Sequence, residues 1–321
     1  MKNNTSAFRF SRLVFALLLF IGVSISFHSC TSTLVSSALY YERYQSNLEK
    51  KEIQVGAYKW TYLEGGKGET ILLIHGFGGD KDNWTRFVRT LTDSYHVVIP
   101  DLPGFGENDR KPEDEYSILT QVSRLDEFTK SIGIDKFHII GNSMGGSISG
   151  VYAATYPDKI LTLGLLDSAG VQSPTPSELS MHLSKGKNPL VANNEEEFDF
   201  LLNFVFVKPP SIPSFLKGYF AEKSIRNREF NEKIYKDLRS RISVLEERMK
   251  LIHARTLIVW GDTDRVIHIS SSDVLLKGIH NSTRVILKEC GHSPMLERPT
   301  ETAGIYAKFL KGESDLSSGL K

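Results

Sequence analysis

An α/β fold built on a mainly parallel sheet follows from three features of the 321-residue sequence: short runs rich in Val, Ile and Leu recur, stretches of helical period separate them, and glycines mark the junctions. In chain order the runs predict strands at Tyr58 to Leu63, Thr70 to His75, His96 to Pro100 and Phe137 to Gly141, then Leu161 to Asp167, Thr256 to Gly261 and Thr283 to Leu287. Helices are predicted between most of them, at Asp82 to Leu91, Ser117 to Ser131, Gly145 to Tyr156, Ser270 to Gly278 and Thr300 to Leu310, with Gly133, Pro157 and Gly278 as stop signals. About 80 residues from Val171 to His253 interrupt the alternation and hold no convincing strand, so they predict a helical cap. Its proline-rich centre, Lys208 to Phe215, divides it, and a strongly charged helix is expected from about Asn231 to Lys250.

The N-terminus differs in kind. Lys2, Arg9 and Arg12, with no acidic residue, precede a 15-residue apolar run from Leu13 to Phe27. That run is shorter than the roughly 20 residues a membrane span uses, and it fits a secretory signal or an N-terminal anchor. The charge asymmetry keeps the N-terminus in the cytoplasm and sends the rest across. Cys30, just beyond the run, resembles the lipidated cysteine of a bacterial lipoprotein signal; lipidation, a retained anchor and ordinary cleavage all remain open. Thr33 to Lys50 carries Leu34, Ala38, Tyr41, Tyr44 and Leu48 at helical spacing, which predicts a short amphipathic linker or membrane-lying arm. The expected organisation is residues 1–29 as signal or anchor, 30–54 as linker, 55–170 and 254–312 as the α/β core, 171–253 as the cap and 313–321 as a tail.

Composition narrows the chemistry. With 39 Lys and Arg against 38 Asp and Glu, the chain has no basic footprint for nucleic acid. Two cysteines are expected to support neither a disulfide framework nor a four-ligand zinc site, and cofactor-free chemistry is expected. Cys290 is expected to be free and buried.

Ser143 carries the strongest signal. It lies in Gly-Asn-Ser-Met-Gly, a G-x-S-x-G pentapeptide between a predicted strand and a predicted helix, where glycines allow the tight turn that exposes a nucleophilic hydroxyl. A serine needs a base, and His292, in Cys-Gly-His-Ser-Pro beyond the last strand, falls at the same sheet edge. His75, ending a strand in His-Gly-Phe-Gly-Gly, better suits loop shaping through backbone hydrogen bonds. The imidazole needs a carboxylate: Asp264 in Trp-Gly-Asp-Thr-Asp-Arg is the candidate, with Asp262 assigned a structural part and Asp167 a third option. Backbone amides of Phe77 and Met144 are the expected oxyanion donors.

These segments, with Asp-Leu-Pro-Gly-Phe-Gly at Asp101 to Gly106 and Gly-His-Ser-Pro-Met-Leu-Glu-Arg-Pro from Gly291, resemble the α/β-hydrolase superfamily over roughly Gly56 to Leu310. Gly150 to Pro157, Ser168 to Ser173 and the Glu-Arg-Pro ending are most similar to membrane-anchored monoacylglycerol lipases and related bacterial lipases. The resemblance implies a triad of Ser143, Asp264 and His292, an oxyanion hole at Phe77 and Met144, and hydrolysis of a small-molecule ester or acylglycerol through an acyl-enzyme. Its expected partners are that substrate and membrane lipid reached through the N-terminus; protein partners are not indicated. Phe198 to Val207 is expected either to line an apolar acyl pocket or to pack as a core face. The alternatives are a carbon–carbon bond hydrolase of meta-cleavage type and a ligand-binding protein on the same fold.

Overall fold

The computed structural model describes residues 33–241 and 243–316. The 1–29 segment, Cys30 and the last five residues of the expected tail lie outside them. Among the described residues, no helix is long and apolar enough to cross a membrane.

The strands are β1 (Leu48–Val55), β2 (Tyr58–Gly65), β3 (Thr70–Ile74), β4 (His96–Pro100), β5 (Phe137–Asn142), β6 (Ile160–Leu166), β7 (Arg255–Gly261) and β8 (Ser282–Leu287). They form one sheet in the order β1-β2-β4-β3-β5-β6-β7-β8. The first two joints, β1 to β2 and β2 to β4, are antiparallel, and every joint from β4 to β8 is parallel. Alternate residues of β3 serve the two faces: Leu72 and Ile74 join one core with Leu125, Phe128 and Tyr152, while Ile71 and Leu73 join the other with Phe87, Tyr306 and Phe309. Burial on both faces explains why the parallel strands read as unbroken apolar runs.

The helices are α1 (33–44), α2 (Thr85–Val88), α3 (Ile118–Ser131), α4 (Met144–Thr155), α5 (Glu178–Ser184), α6 (Glu195–Val205), α7 (Ser214–Arg226), α8 (Arg228–Arg239), α9 (Ser270–Gly278), α10 (Pro294–Glu297) and α11 (Pro299–Leu310). Helix α3 starts at Ser117, whose hydroxyl accepts from the Thr120 amide, and α6 at Asn194, which accepts from Glu197 with three glutamates in the first turn. Helices α5 to α8 form the cap.

Three elements differ from expectation. Residues Thr33 to Lys50 are not one helix: α1 ends at 44 and β1 pairs with β2 from Leu48, so the sheet begins inside the expected linker. Only the two ends of β1 are buried, and its charged middle gives no alternating signal, as suits an exposed edge. The expected helix Asp82 to Leu91 is a 3₁₀ turn, Lys81–Trp84, followed by the single turn α2; Asp80 caps it by accepting from the Asp82 amide. The charged cap helix stops at Arg239, and the chain then re-enters the core, where the amides of Leu245 and Glu246 both donate to Gly170 O and Leu245 packs on Gly150.

Candidate active site

Ser143 joins β5 to α4 with φ 56° and ψ −118°, a strained backbone for a residue with a side chain. Backbone contacts impose that turn. A β-carbon on Gly145 would come within 2.2 Å of Ile74 O, and one on Gly141 within 2.2 Å of Gly145 O. The Ser143 amide donates to Leu166 O, and its carbonyl accepts from the amides of Ser147 and Ala169. Because α4 begins at Met144, its first amides have no partner within the helix and its positive end lies at the serine.

His292 and Asp264 meet. His292 Nδ1 donates to Asp264 Oδ2 over 2.8 Å, and both residues are buried. This leaves Nε2 as the ring's free basic nitrogen. Asp264 Oδ1 accepts from the amides of Val266 and Ile267 at 2.8 and 3.0 Å, which fixes the carboxylate from the opposite side. Asp262 does not reach the ring; its carboxylate accepts from the Thr263 hydroxyl and lies 3.6 Å from Lys288 Nζ. Asp167, Asp264 and His292 bring ligand-type atoms within 4.8 Å of one another. The Asp264 oxygens and His292 Nδ1 are already engaged with each other and with backbone, so the Asp264–His292 pair reads as a hydrogen-bonded relay rather than as part of a cation site.

Two links went unread in the sequence. Asn142 Nδ2 donates to His292 O at 2.9 Å, tying the turn before the serine to the histidine loop. Glu297, in the Glu-Arg-Pro ending, accepts from the amides of Gly291, Val207 and Lys208, and the His292 amide donates to Val205 O, so the end of α6 is fastened to the same loop. A β-carbon on Gly291 would lie 2.3 Å from Val205 O. Neither asparagine nor glutamate there carries a spacing signal.

The loop after β3 forms the opposite wall. His75 is fully buried; its Nδ1 donates to Gly76 O and its Nε2 accepts from the Leu102 amide, and burial holds its pKa below the usual histidine value. It shapes the loop as a neutral ring. Phe77 follows, its ring edge-on to Phe105 at 5.9 Å and to Tyr235 of α8 at 5.5 Å. Beneath it, Lys81 donates to Asp101 and Glu107 at 3.0 and 2.7 Å; burial works against its charge, but Asp101, Asp82 and Asp80 outweigh that and raise its pKa. Asp80 binds Lys223 of α7 at 3.0 Å. Burial opposes ionisation of Asp80, yet Lys223 and Lys81 lower its pKa to about 2.

The cap's aromatic segment is divided, with Phe200 exposed and Phe198, Phe204 and Phe206 buried. Phe204 lies with Leu179 and Val266, and Phe198 with Ala192 and Ala221, which realises the core-face alternative for both side chains. An open cleft of about 500 Å³ is lined by Asn188, Glu232, Tyr235, Lys236, Arg239 and Ser240, sharing Tyr235 with the wall at Phe77. Cys290 is a free, buried thiol, and burial pushes its pKa up.

Known proteins resemble this chain over most of its length. Lipase 1 of Psychrobacter immobilis is 38% identical over 93% of this chain and 96% of its own. The monoacylglycerol lipase abhd6-A of Xenopus laevis is 36% identical over 89% of each chain. A crystal structure of a membrane phospholipase A, described as a bacterial virulence factor, is 43% identical, covers 94% of this chain and 98% of that one, and superposes with a TM-score of 0.89. Residues 69–299, from the strand before the glycine loop to the helix after the histidine, match the α/β hydrolase fold family, and the chain belongs to it.

Proposed function

We propose that this protein is a carboxylic-ester hydrolase that cleaves lipid-like esters, acylglycerols first among them, by two-step acyl transfer on Ser143. The observation that carries the reading is the 2.8 Å His292–Asp264 pair, joined through Asn142 to a serine at φ 56°. Ser143 Oγ attacks the ester carbonyl while His292 Nε2 takes its proton, and Asp264 stabilises the imidazolium. The oxyanion rests on the amides of Phe77 and Met144. His292 then protonates the leaving alcohol, water attacks the acyl-enzyme by the same route, and Ser143 is released. No cofactor enters any step.

The lipase relatives support a lipid ester as substrate, and the phospholipase among them puts glycerophospholipids into the same assay series. The N-terminus supports membrane association. One face of α1 is docked on the hydrolase domain by Arg43 to Asp82, at 2.7 Å, and by Glu42 to Arg86 and Arg89, at 2.8 Å. Its other face leaves Leu34, Tyr40, Tyr41 and Tyr44 exposed, directly after the apolar N-terminal run. Tyrosines at such a position suit the interface between headgroups and water. The hydrolase domain is then held outside the cytoplasm by one of two alternatives, the retained run or lipid on Cys30 after the run is removed.

Ser143→Ala, assayed against mono-, di- and triacylglycerols and phospholipids, is expected to stay folded and lose at least about 10⁴-fold in turnover. Undiminished turnover in the folded variant contradicts the assignment.

A further inference from the structure

Asp167 is a buried acid for which the acyl-transfer steps have no use. It follows β6 at φ 43°, a left-handed backbone held by its amide donating to Val259 O, and it is wholly shielded from solvent. One carboxyl oxygen accepts from the Gly261 amide at 2.9 Å. The other, Oδ2, is buried and has no hydrogen-bond partner among the described residues. Carboxyl oxygens of Asp167 and Asp264 and a ring nitrogen of His292 lie within 4.8 Å of one another.

Two carboxylates this close in a dry site do not both ionise, because each charge raises the cost of the other. The surroundings say which one keeps the proton. Asp264 receives two backbone amides and the imidazole N–H, all donors suited to an anion. Asp167 receives one amide and presents an unpartnered oxygen. We infer that Asp167 carries a proton at neutral pH and donates its O–H to the Asp264 carboxylate, acting as a positioning residue for the Asp264–His292 pair. The inference rests on the acyl-transfer reading above and adds a fourth member to its relay.

The charged and titratable groups around Asp167 agree. Burial, then the negative charge of Asp264, hold its carboxyl well above the usual range, and Glu297 of α10 adds to this. Cys290 stays a neutral thiol beside it. His292, which can become cationic, already faces Asp264, and the Arg298 charge acts on the neighbouring Cys290. A hydroxyl donor aimed at Asp264 holds the carboxylate in place and tempers its pull on the imidazolium, without adding a second negative charge to the site.

Infrared spectroscopy of the full-length wild-type protein at pH 7 tests the proton without turnover, so it stands apart from the role of Ser143. A protonated-carboxyl C=O band that disappears in Asp167→Asn is expected; a spectrum in which that substitution removes no such band overturns the inference. Asparagine supplies an N–H in place of the O–H at unchanged charge. Asp167→Asn is therefore expected to keep kcat/KM within about threefold, with the acid limb of its pH profile unmoved. A downward shift of about one unit in that limb means an anion was removed and overturns the inference. Asp167→Ala takes the donor away; kcat is expected to fall about tenfold or more, with the acid limb moving up. An Ala variant that loses only stability and keeps the wild-type limb marks Asp167 as merely structural. Should Asp167→Ala fail to fold, the infrared band and the Asn profile still decide whether the proton is present.

Discussion

The turn around Ser143 and the cap above it are held by different kinds of force. The turn is fixed by backbone: Gly141 and Gly145 admit neighbouring carbonyls that a β-carbon would strike at 2.2 Å, and the serine's own amide and carbonyl are fully engaged. The cap is held largely by side chains reaching across the chain, Lys223 to Asp80, Lys233 to Asp114 O, and the Tyr235 ring against Phe77. Backbone locks permit almost no substitution, whereas side-chain tethers can be exchanged while the fold persists. On the proposed reading, catalytic geometry belongs to the sheet and substrate choice to the cap.

That division predicts a graded series of effects. The largest comes from the relay on the sheet: Asp264→Asn is expected to lower kcat by about 10³- to 10⁴-fold, while Asp262→Asn stays within about twofold. The reverse ranking, read from steady-state kinetics on one ester, would move the acid.

Next comes the joint between the regions. Asp80 has its pKa lowered to about 2, so its charge stabilises the native state above its unfolded value and loses that effect as pH falls toward 2. At pH 7, Asp80→Asn is expected to unfold more easily by on the order of 2 kcal/mol, with the gap closing between roughly pH 4 and pH 2 in denaturant melts. A pH-independent gap would show that the Asp80 charge is not the joint. Smallest is a tether on the cap side. Lys223→Met, removing one partly exposed ion pair, is expected to cost under about 1 kcal/mol of stability. It should raise KM for long-chain esters about two- to fivefold at unchanged kcat; a drop in kcat alone would erase the contrast between sheet and cap.

The same contrast explains what the sequence disclosed. Glycines at 141 and 145, the His-Gly loop at 75 and the Gly-Asp run before Asp264 are visible because close backbone approaches demand particular residues at short spacing. Strands β2 to β8 were expected within two residues at each end, since both their faces are apolar. Strand β1 was missed because its exposed middle, Glu49 to Glu52, is charged throughout. The links Asn142 to His292, Glu297 to the cap, and Asp80 to Lys223 leave no trace in local pattern, as their partners are 150, 90 and 143 residues apart. The charged helix expected to reach Lys250 stops at Arg239, because the chain beyond it turns into the core, where Val244 and Leu245 are buried.

The central claim is that one strained serine does the chemistry. Reaction of the full-length protein with a fluorophosphonate probe, followed by peptide mass spectrometry, tests it directly. The label is expected on Ser143 alone and absent from Ser143→Ala; a label on any other serine, or none on active enzyme, would contradict the account.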